Sequence, residues 1–180
     1  MIKREIESQI NKWLNKEKII IIKGARQVGK TTLLKNIITK LNRKNKTIYF
    51  SCDKEIRNNI FTDHNLFIKY LTDQLPNTGR LYVLLDEFQY IHNAGLFLKI
   101  IFDELKDKIQ LIVSGSSSLE ITKNSEFLTG RKIEFLLNTI SFAEFTEYKL
   151  TDNISSYLNN YQEIEIFNKI IIKAKLINLI

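Results

Sequence analysis

Apolar residues fall along this 180-residue chain in two rhythms. Ile19 to Ile22, Leu81 to Leu85 and Leu111 to Val113 are continuous apolar runs, too short for helices, and they predict strands buried on both faces. Thr47 to Ser51 and Ile133 to Leu137 are β-rich and predict two more. Between these runs the spacing changes. Leu33, Leu34, Ile37, Ile38 and Leu41 recur at helical steps within Thr32 to Leu41, and further helices are expected over Leu66 to Leu75, Ala94 to Leu105 and Phe142 to Tyr148. Ile2, Ile6, Ile10, Trp13 and Leu14 predict an amphipathic opening helix whose tryptophan serves packing. Strands alternating with helices, most of the strands apolar throughout, predict an α/β fold with a parallel sheet covered on both faces.

Two boundaries carry their own chemistry. Ser141 and Glu144 stand three residues apart and can exchange hydrogen bonds as a capping box, which fixes the start of the last of those helices. From Thr151 to Ile180 the chain is first Asn-rich and then strongly apolar, with Ile164, Ile166, Phe167, Ile170, Ile171, Ile172, Leu176, Ile177, Leu179 and Ile180. Lys169, Lys173 and Lys175 interrupt this stretch and argue against a membrane span. A helix so apolar needs a surface to bury it. Residues 1–150 are therefore expected to form the main domain, and 151–180 a helical tail that opens a truncated C-terminal region, with protein contacts or self-association through the tail.

Composition narrows the class. With 44% hydrophobic residues and 11% aromatics the chain can build one sizeable core. It has no uncharged apolar window of membrane-spanning length, and its opening Met-Ile-Lys-Arg-Glu lacks the apolar segment of a secretory signal. The single cysteine, Cys52, excludes an internal disulfide framework and a multi-cysteine metal site. A cytoplasmic location is the expectation. The net charge of +7 admits nucleic acid as a partner through counterion release. The lysines are scattered, however, and nowhere interleaved with aromatics as a stacking platform requires, so they read first as a solubilising surface.

The most informative segment is Gly24-Ala25-Arg26-Gln27-Val28-Gly29-Lys30-Thr31, with Thr32 following. It fills the pattern G-x-x-x-x-G-K-[ST] directly after a predicted strand and before a predicted helix, the context that a phosphate-binding loop requires. Glycines let backbone N–H groups turn inward onto an anion, and the helix adds its positive N-terminal end. Lys30 would reach the β- and γ-phosphates, and the Thr31 hydroxyl would sit on Mg²⁺. Arg26 could meet nucleotide, acidic side chains or solvent.

A second segment completes the chemistry. The strand Leu81 to Leu85 delivers Asp86 and Glu87 at its C-terminal end, the edge where open α/β sheets gather ligands. Asp86 would hold Mg²⁺, and Glu87 would polarise a water for attack on the γ-phosphate, which favours hydrolysis over transfer to an acceptor. Ser114, next to Gly115 and Ser116, Ser117 and Ser118, either senses the γ-phosphate or belongs to a serine-rich turn. Arg131, before the last strand, is placed near the same sheet edge, where it either stabilises transition-state charge or forms a surface ion pair. His64 and His92 lack ligand-spaced partners and read as surface or loop residues. Asp53 reads as a turn or cap residue.

On these residues the chain resembles the AAA-type ATPase domain of a large bacterial and archaeal family of P-loop ATPases. The resemblance covers nearly residues 1 to 150 and rests on Gly24 to Leu34, Leu84-Leu-Asp-Glu-Phe-Gln89, Val113-Ser-Gly-Ser-Ser-Ser118, Phe127-Leu-Thr-Gly-Arg131 and Ser141-Phe-Ala-Glu-Phe145. It implies a P-loop NTPase fold, a three-layer α/β/α sandwich with a parallel sheet ordered 5-1-4-3-2. It also implies ATP as nucleotide, Glu87 as catalytic base and a catalytic arginine at Arg131. Members of this family usually continue into a second domain. The expected function is thus Mg²⁺-dependent ATP hydrolysis, and the alternative is a truncated or split module that binds ATP and a partner with little turnover.

Overall fold

All five predicted strands form: β1 (Ile19–Gly24), β2 (Thr47–Ser51), β3 (Leu81–Asp86), β4 (Ile109–Ser116) and β5 (Lys132–Leu136). They belong to a computed structural model that describes residues 2–55, 58–116 and 125–157. The strands lie parallel in one sheet of order β2-β3-β4-β1-β5, which is the expected 5-1-4-3-2 read from the other edge. The helices are α1 (Ile6–Asn11), α2 (Lys30–Leu41), α3 (His64–Asp73), α4 (Ala94–Leu105) and α5 (Phe142–Tyr157).

The two-residue pleat sorts the apolar runs onto two faces. Ile19, Ile21, Val83, Leu85, Leu111 and Val113 enter one buried cluster with Phe67 and Leu71 of α3 and Phe97, Leu98 and Ile101 of α4. Ile20, Ile22, Leu84 and Ile112 enter the other with Ile10 of α1 and Leu33, Leu34, Ile37 and Leu41 of α2. Every residue of β3 is buried, as a central parallel strand demands. β5 stands at one edge of the sheet, and its outward positions Glu134 and Leu136 are exposed among the described residues, Leu136 by 61%.

Two elements differ from the expectation. The opening helix is confined to Ile6–Asn11; Trp13 and Leu14 still pack partly buried on the α2-side cluster, but from a turn in which Asn15 takes a left-handed φ of 66°. The helix beginning at Phe142 runs on to Tyr157, through the expected boundary at residue 150. Its capping box forms: the Ser141 amide donates to Glu144 Oε2 at 2.9 Å, and the Glu144 amide donates to Ser141 Oγ at 3.1 Å. The chain groups into two compact units, Ile6–Asn138 and Met1–Glu5 with Thr139–Ile180. Within the second, Arg4 Nε donates to Glu144 Oε2 at 3.1 Å, with both side chains buried. The apolar tail from 158 onward, with Ser117 and Ser118, lies outside the described residues.

Candidate active site

The glycine-rich loop leaves β1 under a tight steric constraint. A Cβ on Gly24 would stand 2.5 Å from the Leu137 carbonyl oxygen, because the chain just past β5 crosses there and the Leu137 amide donates to the Lys23 carbonyl at 2.7 Å. Gly29 needs its freedom for another reason, a φ of 98°. Gln27 also takes a left-handed φ, 66°, at a cost on the order of 1 kcal/mol for a residue with a Cβ. Val28 turns inward into the core, so Ala25, Arg26 and Gln27 are left exposed at the loop's crest.

Gly29 serves as N-cap of α2 without a side-chain capping bond, and the first turn of α2 holds no acidic residue. The amides at this helix start have no carbonyl one turn earlier to bond within the helix, and they carry its partial positive charge. Lys30 is buried, and its ammonium donates to the Ala25 carbonyl at 2.9 Å and the Gly24 carbonyl at 3.3 Å. The ammonium is thereby held against the loop carbonyls beside the start of α2. Thr31 is half-buried in the same turn, and Thr32 is exposed.

Register brings the acidic pair to the same edge. Ser51 pairs with Asp86 across β2 and β3, while Leu85 pairs with Val113 and Ser114 with Ile22, so Ser51, Asp86, Ser114 and Ile22 form one row across the strands. Asp86 is 1% exposed. Its Oδ2 accepts from the Tyr49 hydroxyl at 3.0 Å; its Oδ1 accepts from the Ser114 hydroxyl and from the Glu87 amide at 3.1 Å. Ser114 is fully buried and spends its hydroxyl on this carboxylate. Burial and the neighbouring Asp86 charge push the Tyr49 phenol up to about 12, so it remains a donor. Burial, then the same charge, also pushes the Cys52 thiol up. Tyr49 escaped the sequence reading because a tyrosine in a strand ordinarily signals nothing beyond β preference.

Glu87 follows in a left-handed backbone conformation, φ 53° and ψ 43°, and starts a one-turn 3₁₀ helix, Phe88–Tyr90. Its Oε2 accepts from Gln89 Nε2, and Gln89 Oε1 in turn accepts from the Ser116 amide at 3.2 Å.

Arg131 is elsewhere. It directly precedes β5, and β5 runs parallel to β1 with Lys132 opposite Ile19, so it lies at the N-terminal edge of the sheet. The phosphate loop leaves the C-terminal edge, roughly five residues or about 16 Å along the strands. The guanidinium instead pairs through two nitrogens with Asp103 of α4, at 2.6 and 3.0 Å, which is the surface ion pair of the two alternatives. Asp53 accepts from Ser51 Oγ at 2.6 Å in the turn after β2. His64 and His92 line an open cleft of about 340 Å³ with Phe61, Tyr90 and Leu96. Among the described residues no three His, Cys, Asp or Glu side chains cluster as metal ligands, and no helix is long and apolar enough to cross a membrane.

Residues 16–146, from before β1 into the first turn of α5, match the family profile described as AAA domain. An uncharacterized protein of Methanocaldococcus jannaschii is 27% identical over 186 aligned positions, which cover 88% of this chain and 37% of that protein. Among solved structures, the Aeropyrum pernix ORC1 protein in complex with DNA superposes with a TM-score of 0.61 at 15% identity, over 87% of this chain and 50% of that one. A crystallised DNA replication initiation factor gives 0.54 at 20% identity, over 97% and 59%. At those identities the structural likeness is one of fold. The chain spans about a third of the length of its curated relative.

Proposed function

The chain belongs to the AAA domain family, and from that premise we propose that it binds ATP with Mg²⁺ at Gly24, Ala25, Arg26, Gln27, Val28, Gly29, Lys30, Thr31 and Thr32 and hydrolyses the γ-phosphate. One observation carries the reading. An uncapped helix start with a buried lysine, and a hydrogen-bonded aspartate followed by a backbone-strained glutamate, stand at the same edge of a parallel sheet. An anion site and a pair of carboxylates at one sheet edge suit a ligand that brings its own divalent cation.

The donor set fits Mg²⁺. The Thr31 hydroxyl and the Asp86 carboxylate are hard oxygens, and this ion is commonly held by one or two protein oxygens, with phosphates and waters filling the other positions. Held by Thr31 and Asp86, such an ion would supply charge neutralisation at the phosphate oxygens. The protein's own residues do the rest. Loop amides receive phosphate oxygens, and Lys30 exchanges its carbonyl partners for the β- and γ-phosphates. Tyr49, Ser114 and the Glu87 amide keep Asp86 oriented. Glu87 takes a proton from the attacking water as its oxygen bonds to the γ-phosphorus and the bond to the ADP oxygen breaks, leaving ADP and phosphate.

Phosphate release from ATP by the chain, with Mg²⁺ and with a chelator, tests the reading beside Lys30→Ala. Mg²⁺-dependent release in the wild type, together with at least about a tenfold loss of ATP affinity in the variant, is the expected result. ATP affinity unchanged by the substitution contradicts it.

A further inference from the structure

We propose that Gln89 is the positioning residue of the hydrolytic site and that it sets the Glu87 carboxylate by tying it to the end of β4. The inference rests on the ATPase reading and adds a residue to it. A glutamate side chain has three rotatable bonds, and a base displaced by about 1 Å can lose on the order of a hundredfold in rate. The backbone of Glu87 supplies half of the restraint. Its left-handed conformation opens the Phe88–Tyr90 turn, whose Tyr90 amide donates back to the Glu87 carbonyl at 3.2 Å, and Phe88 anchors that turn, fully buried among Leu85, Phe97 and Leu98.

The other half comes from the Gln89 side chain. Its amide nitrogen donates to Glu87 Oε2 while its amide oxygen accepts from the Ser116 amide at 3.2 Å. The bridge needs both ends of a carboxamide, a donor for an anion and an acceptor for a backbone N–H. Glutamate would keep the acceptor, lose the donor and place like charge beside Glu87; leucine keeps the volume and loses both. Asparagine is one methylene short. β4 carries Ser114, which holds Asp86, so one strand orients the carboxylate proposed for the metal and, through Gln89, the carboxylate proposed as base.

The test is steady-state ATP hydrolysis and fluorescent-ATP binding for wild type, Gln89→Leu and Gln89→Glu, with the unfolding midpoint of each variant measured alongside. A positioning role predicts kcat lowered on the order of ten- to a hundredfold in both, with KM and nucleotide affinity held within about twofold. If Gln89→Leu does not fold, Gln89→Glu carries the test. A kcat within about twofold of wild type, a raised kcat, or KM rising in step with the loss overturns the proposal. Wild type that hydrolyses while the variants match it removes only the role of Gln89. Wild type that releases no phosphate removes the ATPase reading and this proposal with it.

Discussion

Tyr49 shows how a side chain with no motif becomes part of a site. It donates to Asp86 at 3.0 Å from the neighbouring strand, and a hydrogen bond to a charged, buried acceptor is worth about 1.5–3 kcal/mol. Tyr49→Phe is therefore expected to lower stability in denaturant unfolding by about that amount, less whatever water recovers. An unchanged midpoint would remove Tyr49 from the network. Gly24 is the opposite case, plain in the sequence but for an incomplete reason. The loop pattern asks for glycine as a flexible corner, yet the structure adds a carbonyl 2.5 Å from where a Cβ would sit. Gly24→Ala should cost about 1–3 kcal/mol through overpacking against rigid backbone, whereas Gly79→Ala, where a Cβ meets nothing within 4 Å, pays only for its left-handed φ, on the order of 1 kcal/mol. Gly24→Ala is thus expected at the upper end of that range, and a loss no greater than that of Gly79→Ala would contradict this distinction.

Helix α5 was legible at its start and not at its end. The capping box is a local pattern of two side chains, and it forms as read. Beyond Tyr148 the residues Thr151-Asp-Asn-Ile-Ser-Ser-Tyr157 offer no apolar period, so nothing in the sequence extended the helix that the backbone continues. Glu144 also receives the Glu5 amide at 2.9 Å and the buried Arg4 guanidinium. Burial pushes its carboxyl up, but the amides of Ser141 and Glu5 and then Arg4 outweigh it and leave the carboxyl below the ordinary 4.5. A carboxyl depressed in the folded state contributes stability that is fully present above its unfolded value and is lost as pH falls through the folded one. Glu144→Gln keeps a side chain able to complete the capping box and loses the charge. The stability gap between wild type and this variant should hold level above about pH 5 and close as pH drops below about 4.5. A gap that does not change with pH would assign the bonds to packing alone.

Across the whole molecule, the direction of the strands decides what the site contains. Continuous apolar runs announced a parallel sheet because strands covered on both faces have no polar side to show, and both faces are indeed packed. That same parallelism places Arg131 away from the loop of its own chain, since a residue before β5 stands at the edge opposite one that follows β1. Proximity in sequence to a strand end does not say which end. Arg131→Ala should leave kcat within about twofold and barely move the unfolding midpoint, as an exposed, solvent-screened ion pair does; a loss of a hundredfold would place this arginine in a nucleotide site after all. The bridge from Glu87 through Gln89 to Ser116 was equally hidden, because Gln89 and Ser116 are 27 residues apart and only strand order brings them together. ATP hydrolysis at this edge through Glu87 is tested most directly by phosphate release and ATP affinity for Glu87→Gln beside wild type. With Glu87 as base, the variant binds ATP within about threefold of wild type and loses on the order of a hundredfold or more in kcat; turnover at the wild-type rate in Glu87→Gln would contradict that role.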